Sequence, residues 1–210
     1  MAHKFDVGRL EAAPDAAALA AEYDRVADTY DTVLLEEHQW RTPEIIAALL
    51  AWLLPRDARI LDVACGTGLV GAGLKRFNFT NVHGLDMSAG MLAIAARKQA
   101  YCAFTTVALG GPLPFPTGEF DAVTASGAFT PNHAPPESLD ELVRITRPGG
   151  LIVFSLRSDV PPPGFDVAIE TVTRSGRWSL FRRGAEFQSM PRAEPRVLSR
   201  IWIYEVAHAR

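Results

Sequence analysis

Apolar positions follow two rhythms along this chain, and the change comes between residues 55 and 58. Leu19, Tyr23, Val26, Tyr30 and Val33 recur at spacings of 4, 3, 4 and 3, which sets them on one stripe of a helix. A second helix is expected from Thr42-Pro43, a capping hydroxyl followed by proline at the first helical position. Its buried face is Ile46, Leu49, Leu50 and Leu53, and Pro55 stops it. From Ala58 short apolar strands alternate with helices. "RILDVA", "NVHGLD", "YCAFTTVA", "FDAVTASGA" and "LIVFSL" read as strands. "LVGAGLKRF", "SAGMLAIAARKQA" (capped by Ser88) and "PESLDELVRIT" (ended by "RPGG") read as the helices between them, with a turn-rich link at "GGPLPFPTG".

This alternation predicts βαβ units, an α/β fold in which a mostly parallel sheet carries helices on both faces. The last third changes again. "PPPG" breaks the chain, "FDVAIETVTRSG" predicts a helix, and "RWSLFRRGAEFQ" and "RVLSRIWIYEVAHA" predict an antiparallel pair at one sheet edge. The expected organisation is one domain over 1–210: a helical preface over 1–55, an alternating core over 56–157, and a C-terminal helix with edge strands over 158–210. A length of 210 residues with 48% apolar content suits one full core.

Charge removes some partners. With 24 acidic and 21 basic residues the net charge is −3, so no overall positive field draws the chain to a phosphate backbone, and nucleic acid is a disfavoured partner. The seven arginines between Arg174 and Arg200, interleaved with Trp178, Phe181 and Phe187, have the composition of an anion-binding patch. Glu186 and Glu194 interrupt them, as on a solvated edge hairpin, and that plainer reading is preferred. The first 20 residues lack a signal-peptide apolar run, and no stretch approaches the roughly 20 apolar residues of a membrane helix. Cys65 and Cys102 have no bridge or metal-site spacing, so no metal is expected and a reducing, cytoplasmic setting fits.

The chemistry concentrates in "LDVACGTGLVG". Gly66, Gly68 and Gly71 have the spacing of a dinucleotide-binding turn, where glycines let the backbone approach a ligand at a helix N-terminus. Asp62, just upstream, is unwelcome beside a pyrophosphate and well matched to an ammonium or sulfonium such as those of S-adenosylmethionine. A carboxylate that merely braces the loop would suit either cofactor. Asp86 ends the second strand 18 residues after Gly68, close to the roughly 20 at which such folds place an acid on ribose hydroxyls.

"ILDVACGTG", "GLDMSAGML", "PLPFPTGEFDAV" and "LVRITRPGGLIVF", in this order, resemble the successive motifs of class I S-adenosylmethionine-dependent methyltransferases. The resemblance covers residues 20–157. "DVACGTGLV", "ALGGPLPFP" and "YDRVADTYD" further resemble a methyltransferase-like subfamily, that of the protein deleted in Williams-Beuren syndrome. The resemblance implies a Rossmann-like, seven-stranded, mostly parallel sheet with N-terminal lid helices, and S-adenosylmethionine as cofactor with S-adenosylhomocysteine as product. It puts Asp62, Ala64, Cys65, Gly66 and Gly68 around the methionyl and ribose parts, Asp86 on the ribose and Met87 against adenine. Leu109 stands where many relatives have an acid for the adenine amino group, leaving apolar contact and the backbone of Leu109 and Gly110. Tyr23 and Tyr30 resemble the aromatic lid, and Arg41 is placed to meet the methionyl carboxylate.

Methyl transfer from a sulfonium draws on proximity and orientation, and needs a base only when the acceptor must lose a proton early. "SGAFTPNHAPPES" lies where the acceptor is expected. Ser126 there should lie near the cofactor, and His133 is the candidate general base, an exposed loop histidine being the alternative. The link lacks the Asn-Pro-Pro-aromatic pattern of enzymes that methylate amide or base nitrogens, so a small-molecule acceptor is expected. Two rivals stay open: a protein that binds S-adenosylmethionine without transferring methyl, and a nicotinamide-dependent oxidoreductase resting on the three glycines. Oligomeric state is not legible.

Overall fold

The computed structural model describes residues 9–10, 12–131, 133–159 and 161–208. The first eight residues of the expected helical preface, with Lys4, lie outside them. Helix α1 (Ala16–Asp31) is capped by Asp15, whose side chain accepts from Ala18 N–H, and passes into a π-helical turn, Thr32–Glu37. Helix α2 (Thr42–Leu53) buries Ile46 and Leu50 as expected, while Leu49 and Leu53 are only half-buried. Thr42 is not its cap. Arg41 holds that position without a side-chain bond, and Thr42 is itself buried inside the first turn.

The alternating core follows as β1 (Ile60–Val63), α3 (Leu69–Arg76), β2 (Val82–Asp86), α4 (Ala89–Arg97), β3 (Ala103–Thr106), β4 (Phe120–Ala125), α5 (Ser138–Ile145) and β5 (Thr146–Arg157). Then come α6 (Phe165–Arg174), β6 (Trp178–Arg183), β7 (Phe187–Gln188) and β8 (Leu198–Val206). The sheet runs β3-β2-β1-β4-β5-β8-β6, parallel from β3 to β5, with β8 antiparallel to β5 and to β6. It has eight strands where seven were expected, because "RWSLFRRGAEFQ" splits into β6 and β7, both pairing with β8. The antiparallel pair lies at one sheet edge, as expected. β8 enters next to β5 and carries β6 beyond it.

Two-residue alternation loads both faces. Leu61, Val123, Ile152, Phe154 and Tyr204 face one apolar cluster with α5 and α6, and Ile60, Val82, Ala122, Val153 and Ile203 face another with α2 and α3. Near the sheet's antiparallel end Trp178 and Tyr204 stack at 4.1 Å. The link after β3 is pinned by α5: Glu141 accepts from Leu113 N–H, and Arg144 donates to the carbonyls of Leu113 and Phe115. Six of the seven C-terminal arginines have partners of their own. Arg174, Arg177 and Arg200 pair with Glu170, Asp140 and Glu186, Arg192 donates to Glu36 O, and Arg182 and Arg183 lie over Trp52 and Trp202.

Two acids seven residues apart dock α1 on the core. Asp24 accepts from Ser88 Oγ and Gly90 N–H at the start of α4. Asp31 accepts from Thr67 Oγ1 and pairs with Lys98, which also donates to Thr67 O. Removing Asp24 orphans the Gly90 N–H, so Asp24→Ala should cost about 1–2 kcal/mol. Hydrogen exchange should then quicken across α1 and leave β1 and β4 protected; unchanged protection in α1 would show that the docking lies elsewhere.

Candidate active site

The C-terminal ends of β1, β2 and β4 meet at one cavity, the place where an open α/β sheet holds ligands. The cavity measures about 330 Å³, and α1 covers it with Leu19, Tyr23 and Tyr30. β1 delivers Asp62, and the chain after it turns on Ala64 (φ +50°), Gly66 (φ +53°) and Gly68 (φ +85°) before α3 begins. Ala64 takes the left-handed backbone that glycine adopts without cost, so an alanine there is tolerated under strain. Gly68 serves as that left-handed residue before α3 and does not line the cavity.

Asp62 is 1% exposed. Its Oδ2 accepts from the Tyr101 hydroxyl at 2.7 Å, and the Tyr101 oxygen accepts from Gly71 N–H at 3.1 Å. Its Oδ1, buried at the cavity wall, has no hydrogen-bond partner among the described residues. Burial raises the Asp62 carboxyl to about 7, the neighbouring Asp86 adds to this, and the Tyr101 bond opposes it. Tyr101 was read from the sequence as strand only; it stands just before β3 and fixes which lone pairs of Asp62 remain free. Gly71 is what admits its ring, since a Cβ there would lie 2.2 Å from Tyr101 Cζ.

Asp86 closes β2 with each oxygen holding one backbone donor, Gly66 N–H on Oδ2 at 2.8 Å and Ser88 N–H on Oδ1 at 2.9 Å. Burial pushes its carboxyl up and those bonds pull it down. The Met87 N–H also bonds to this carboxylate, whose oxygens keep acceptor capacity for hydroxyls. Met87, Val107, Ala108 and Leu109 continue the wall beyond Asp86, and Ala64 and Cys65 lie on the turn side. Burial pushes the Cys65 thiol up, which marks it as packing and not as a nucleophile.

Ser126 follows β4 into the cavity, and its Oγ is a second buried polar atom of the site without a partner among the described residues. His133 lies in the loop beyond. Its Nδ1 is 2.9 Å from Pro131 O and its Nε2 is 2.7 Å from Tyr23 Oη. The sequence left these two residues in separate roles, 110 positions apart, and the fold joins them. Burial and the nearby Tyr30 and Asp86 push the Tyr23 phenol upward.

Besides Gly68, two more expected contacts, Arg41 and Gly110, are absent from the wall. Arg41 is exposed, its backbone N–H held by Ser189 O, and its neighbour Trp40 faces the cavity instead. Gly110 serves the turn: at φ +112° a Cβ there would meet Pro135 at 2.7 Å. Residues not singled out from the sequence, Leu19, Trp40, Thr67 and Tyr101, carry part of the site or its support. Asp24 and Asp31 lay in the quoted lid motif, where their spacing on one helix face was the available signal.

The residues fit S-adenosylmethionine. An unpaired buried carboxylate oxygen suits an ammonium, Asp86 offers two acceptors to a vicinal diol, and the wall beyond is apolar. A family model for the methyltransferase domain matches residues 61–154. The chain is 38% identical over 176 residues to human "Methyltransferase-like protein 27", covering 79% of this chain and 70% of that one. It is 34% identical to a "Demethylmenaquinone methyltransferase" of Clavibacter sepedonicus, over 75% of this chain and 66% of the other. The fold matches a TehB-like SAM-dependent methyltransferase of Corynebacterium glutamicum with a TM-score of 0.66 at 18% identity, covering 89% and 98% of the two chains. With the motif order, the sheet order and a cavity walled by Asp62 and Asp86, these likenesses make the chain a member of the class I S-adenosylmethionine-dependent methyltransferases.

Proposed function

We propose that this enzyme methylates a small, uncharged, hydroxyl-bearing acceptor held beside the cofactor under α1. The observation that carries this reading is the charge of the cavity wall. Asp15, Asp62 and Asp86 line it, and among the described residues no lysine or arginine does. An anionic acceptor would find no protein cation to pair with here, only carboxylates beside the cofactor's own charges, a costly arrangement at low local dielectric. Leu19, Trp40, Pro43, Leu69 and Ala128 supply apolar contact.

S-adenosylmethionine would supply the methyl group from its sulfonium. Asp62 Oδ1 would take the ammonium of its amino-acid head, Ser126 Oγ would donate to the carboxylate of that head, and Asp86 would accept from the ribose hydroxyls. Met87, Val107 and Leu109 would offer apolar contact to adenine. Tyr30 and Leu19 close the site against water, which protects the electrostatics within it. The demethylmenaquinone relative, named for a quinone, is consistent with an apolar acceptor.

A matched pair of probes tests this with radiolabelled cofactor. 1,4-Naphthohydroquinone should be methylated, and its carboxylated counterpart, 1,4-dihydroxy-2-naphthoate, should react at least 10-fold more slowly. Preference for the carboxylate would overturn the reading.

A further inference from the structure

The bond between Tyr23 and His133 changes which group can meet the acceptor. A carbonyl only accepts, so the 2.9 Å contact to Pro131 O puts the proton of neutral His133 on Nδ1. Nε2 is then the acceptor of the 2.7 Å bond, and the Tyr23 hydroxyl donates to it. The basic lone pair of His133 is therefore occupied, while the second lone pairs of the Tyr23 oxygen remain. Tyr23 and His133 both line the cavity, Tyr23 from the lid helix and His133 from the loop after β4. Their rings meet edge-on at 5.9 Å, and Tyr30 also meets Tyr23 edge-on, at 6.2 Å.

We infer that Tyr23 is the group that takes the acceptor's proton, and that His133 receives Tyr23's own proton through the bond between them. The inference rests on the neutral-hydroxyl reading above. The acceptor's O–H breaks as its proton moves to Tyr23 Oη, and the Tyr23 O–H breaks as its proton moves to His133 Nε2. The electron pair left on the acceptor forms the bond to the methyl carbon, and the sulfur keeps the pair of the bond it loses. The imidazolium, held by Pro131 O at Nδ1, later returns one proton to solvent. Burial disfavours a free Tyr23 phenolate, so the two proton shifts run together. The arrangement also ties chemistry to closure: the relay exists only while α1 lies on the core.

The test uses the full chain, single-turnover methylation of 1,4-naphthohydroquinone, and S-adenosylhomocysteine binding. Tyr23→Phe and His133→Gln should each slow transfer by about 100-fold or more. The double variant should be no slower than the slower single variant, because the two act as a unit. Binding of S-adenosylhomocysteine should stay within threefold in all three. In mixed H2O and D2O the wild-type rate should curve with deuterium content, as for two protons in flight; a straight line would mean one proton and overturn the relay. Tyr23→Phe within threefold of wild type, or a collapse of S-adenosylhomocysteine binding in it, would overturn it too, the latter by making Tyr23 a cofactor contact. If wild type leaves the naphthohydroquinone unmethylated, the acceptor reading fails. The relay is then decided by nitrogen NMR of 15N-histidine-labelled protein bound to S-adenosylhomocysteine: an Nδ1–H tautomer whose Nε2 signal shifts in Tyr23→Phe sustains it, and an Nε2–H tautomer ends it.

Discussion

Asp62→Asn is expected to weaken S-adenosylhomocysteine binding by about 10- to 100-fold, the worth of a buried charge-assisted bond to the ammonium at about 1.5–3 kcal/mol. The same substitution should flatten a pH dependence of the ligand-free protein. Burial raises the Asp62 carboxyl from 3.8 to about 7 on folding. The folded state therefore holds a proton there that the unfolded chain has already lost. Stability from this source is full below about pH 4 and is lost as pH rises through 7. The ligand-free melting temperature should fall more steeply between about pH 5 and 8 in wild type than in Asp62→Asn, which keeps the contribution of Asp86, shifted the same way, and that of His83, whose pKa burial lowers and which acts in the opposite sense. An ammonium against Oδ1 favours the ionised carboxylate, so binding near pH 6 should release a proton and tighten as pH rises towards 7. Calorimetry in two buffers of different ionisation heat reads that proton. Binding within twofold of wild type in Asp62→Asn would remove Asp62 from the cofactor site.

Gly71→Ala should be strongly destabilising. The added methyl would sit 2.2 Å from Tyr101 Cζ and 2.5 Å from its hydroxyl oxygen. The ring must move, and with it goes the donor to Asp62 Oδ2, leaving a buried carboxylate with neither oxygen paired. Overpacking costs about 1–3 kcal/mol and the lost bond adds about 1–3 more. At roughly 2–4 °C per kcal/mol for a chain of this size, melting should fall by at least about 4 °C. Tyr101→Phe separates the two parts, since it keeps the ring and drops only the hydroxyl. Its cost should be the hydrogen-bond share alone, with weaker S-adenosylhomocysteine binding. A Gly71→Ala protein melting within 2 °C of wild type would show that Tyr101 is not held as described.

The alternating strands and helices were legible because each buries an uninterrupted or periodic apolar set, and Asp62 and Asp86 were legible because their offsets from the glycine turn are local. Tyr101 was not. It stands 39 positions from Asp62, and nothing in "QAYCAF" distinguishes a tyrosine aimed at a carboxylate from one in a strand. Arg41 misled for a related reason. A guanidinium beside a cavity is chemically apt, but the backbone bond to Ser189 turns its neighbour Trp40 inward. Thr42 looked like a cap because hydroxyl-proline is a helix-start signal, yet the helix begins at Thr42 itself and buries it. The Tyr23–His133 bond joins two residues that the sequence did identify, and only their pairing was hidden.

The place of β8 bears on how the protein is made. β6 and β7 reach the sheet solely through β8, a strand translated after both. Until residues 198–206 leave the ribosome, the open side of β5 and the segment bearing Trp178, Leu180 and Phe181 lack their native strand partner. Leu180 and Phe181 remain about half exposed even in the finished fold. This stretch is thus where a nascent chain most needs shielding from its neighbours, and where a slow decoding step would prolong the risk of aggregation.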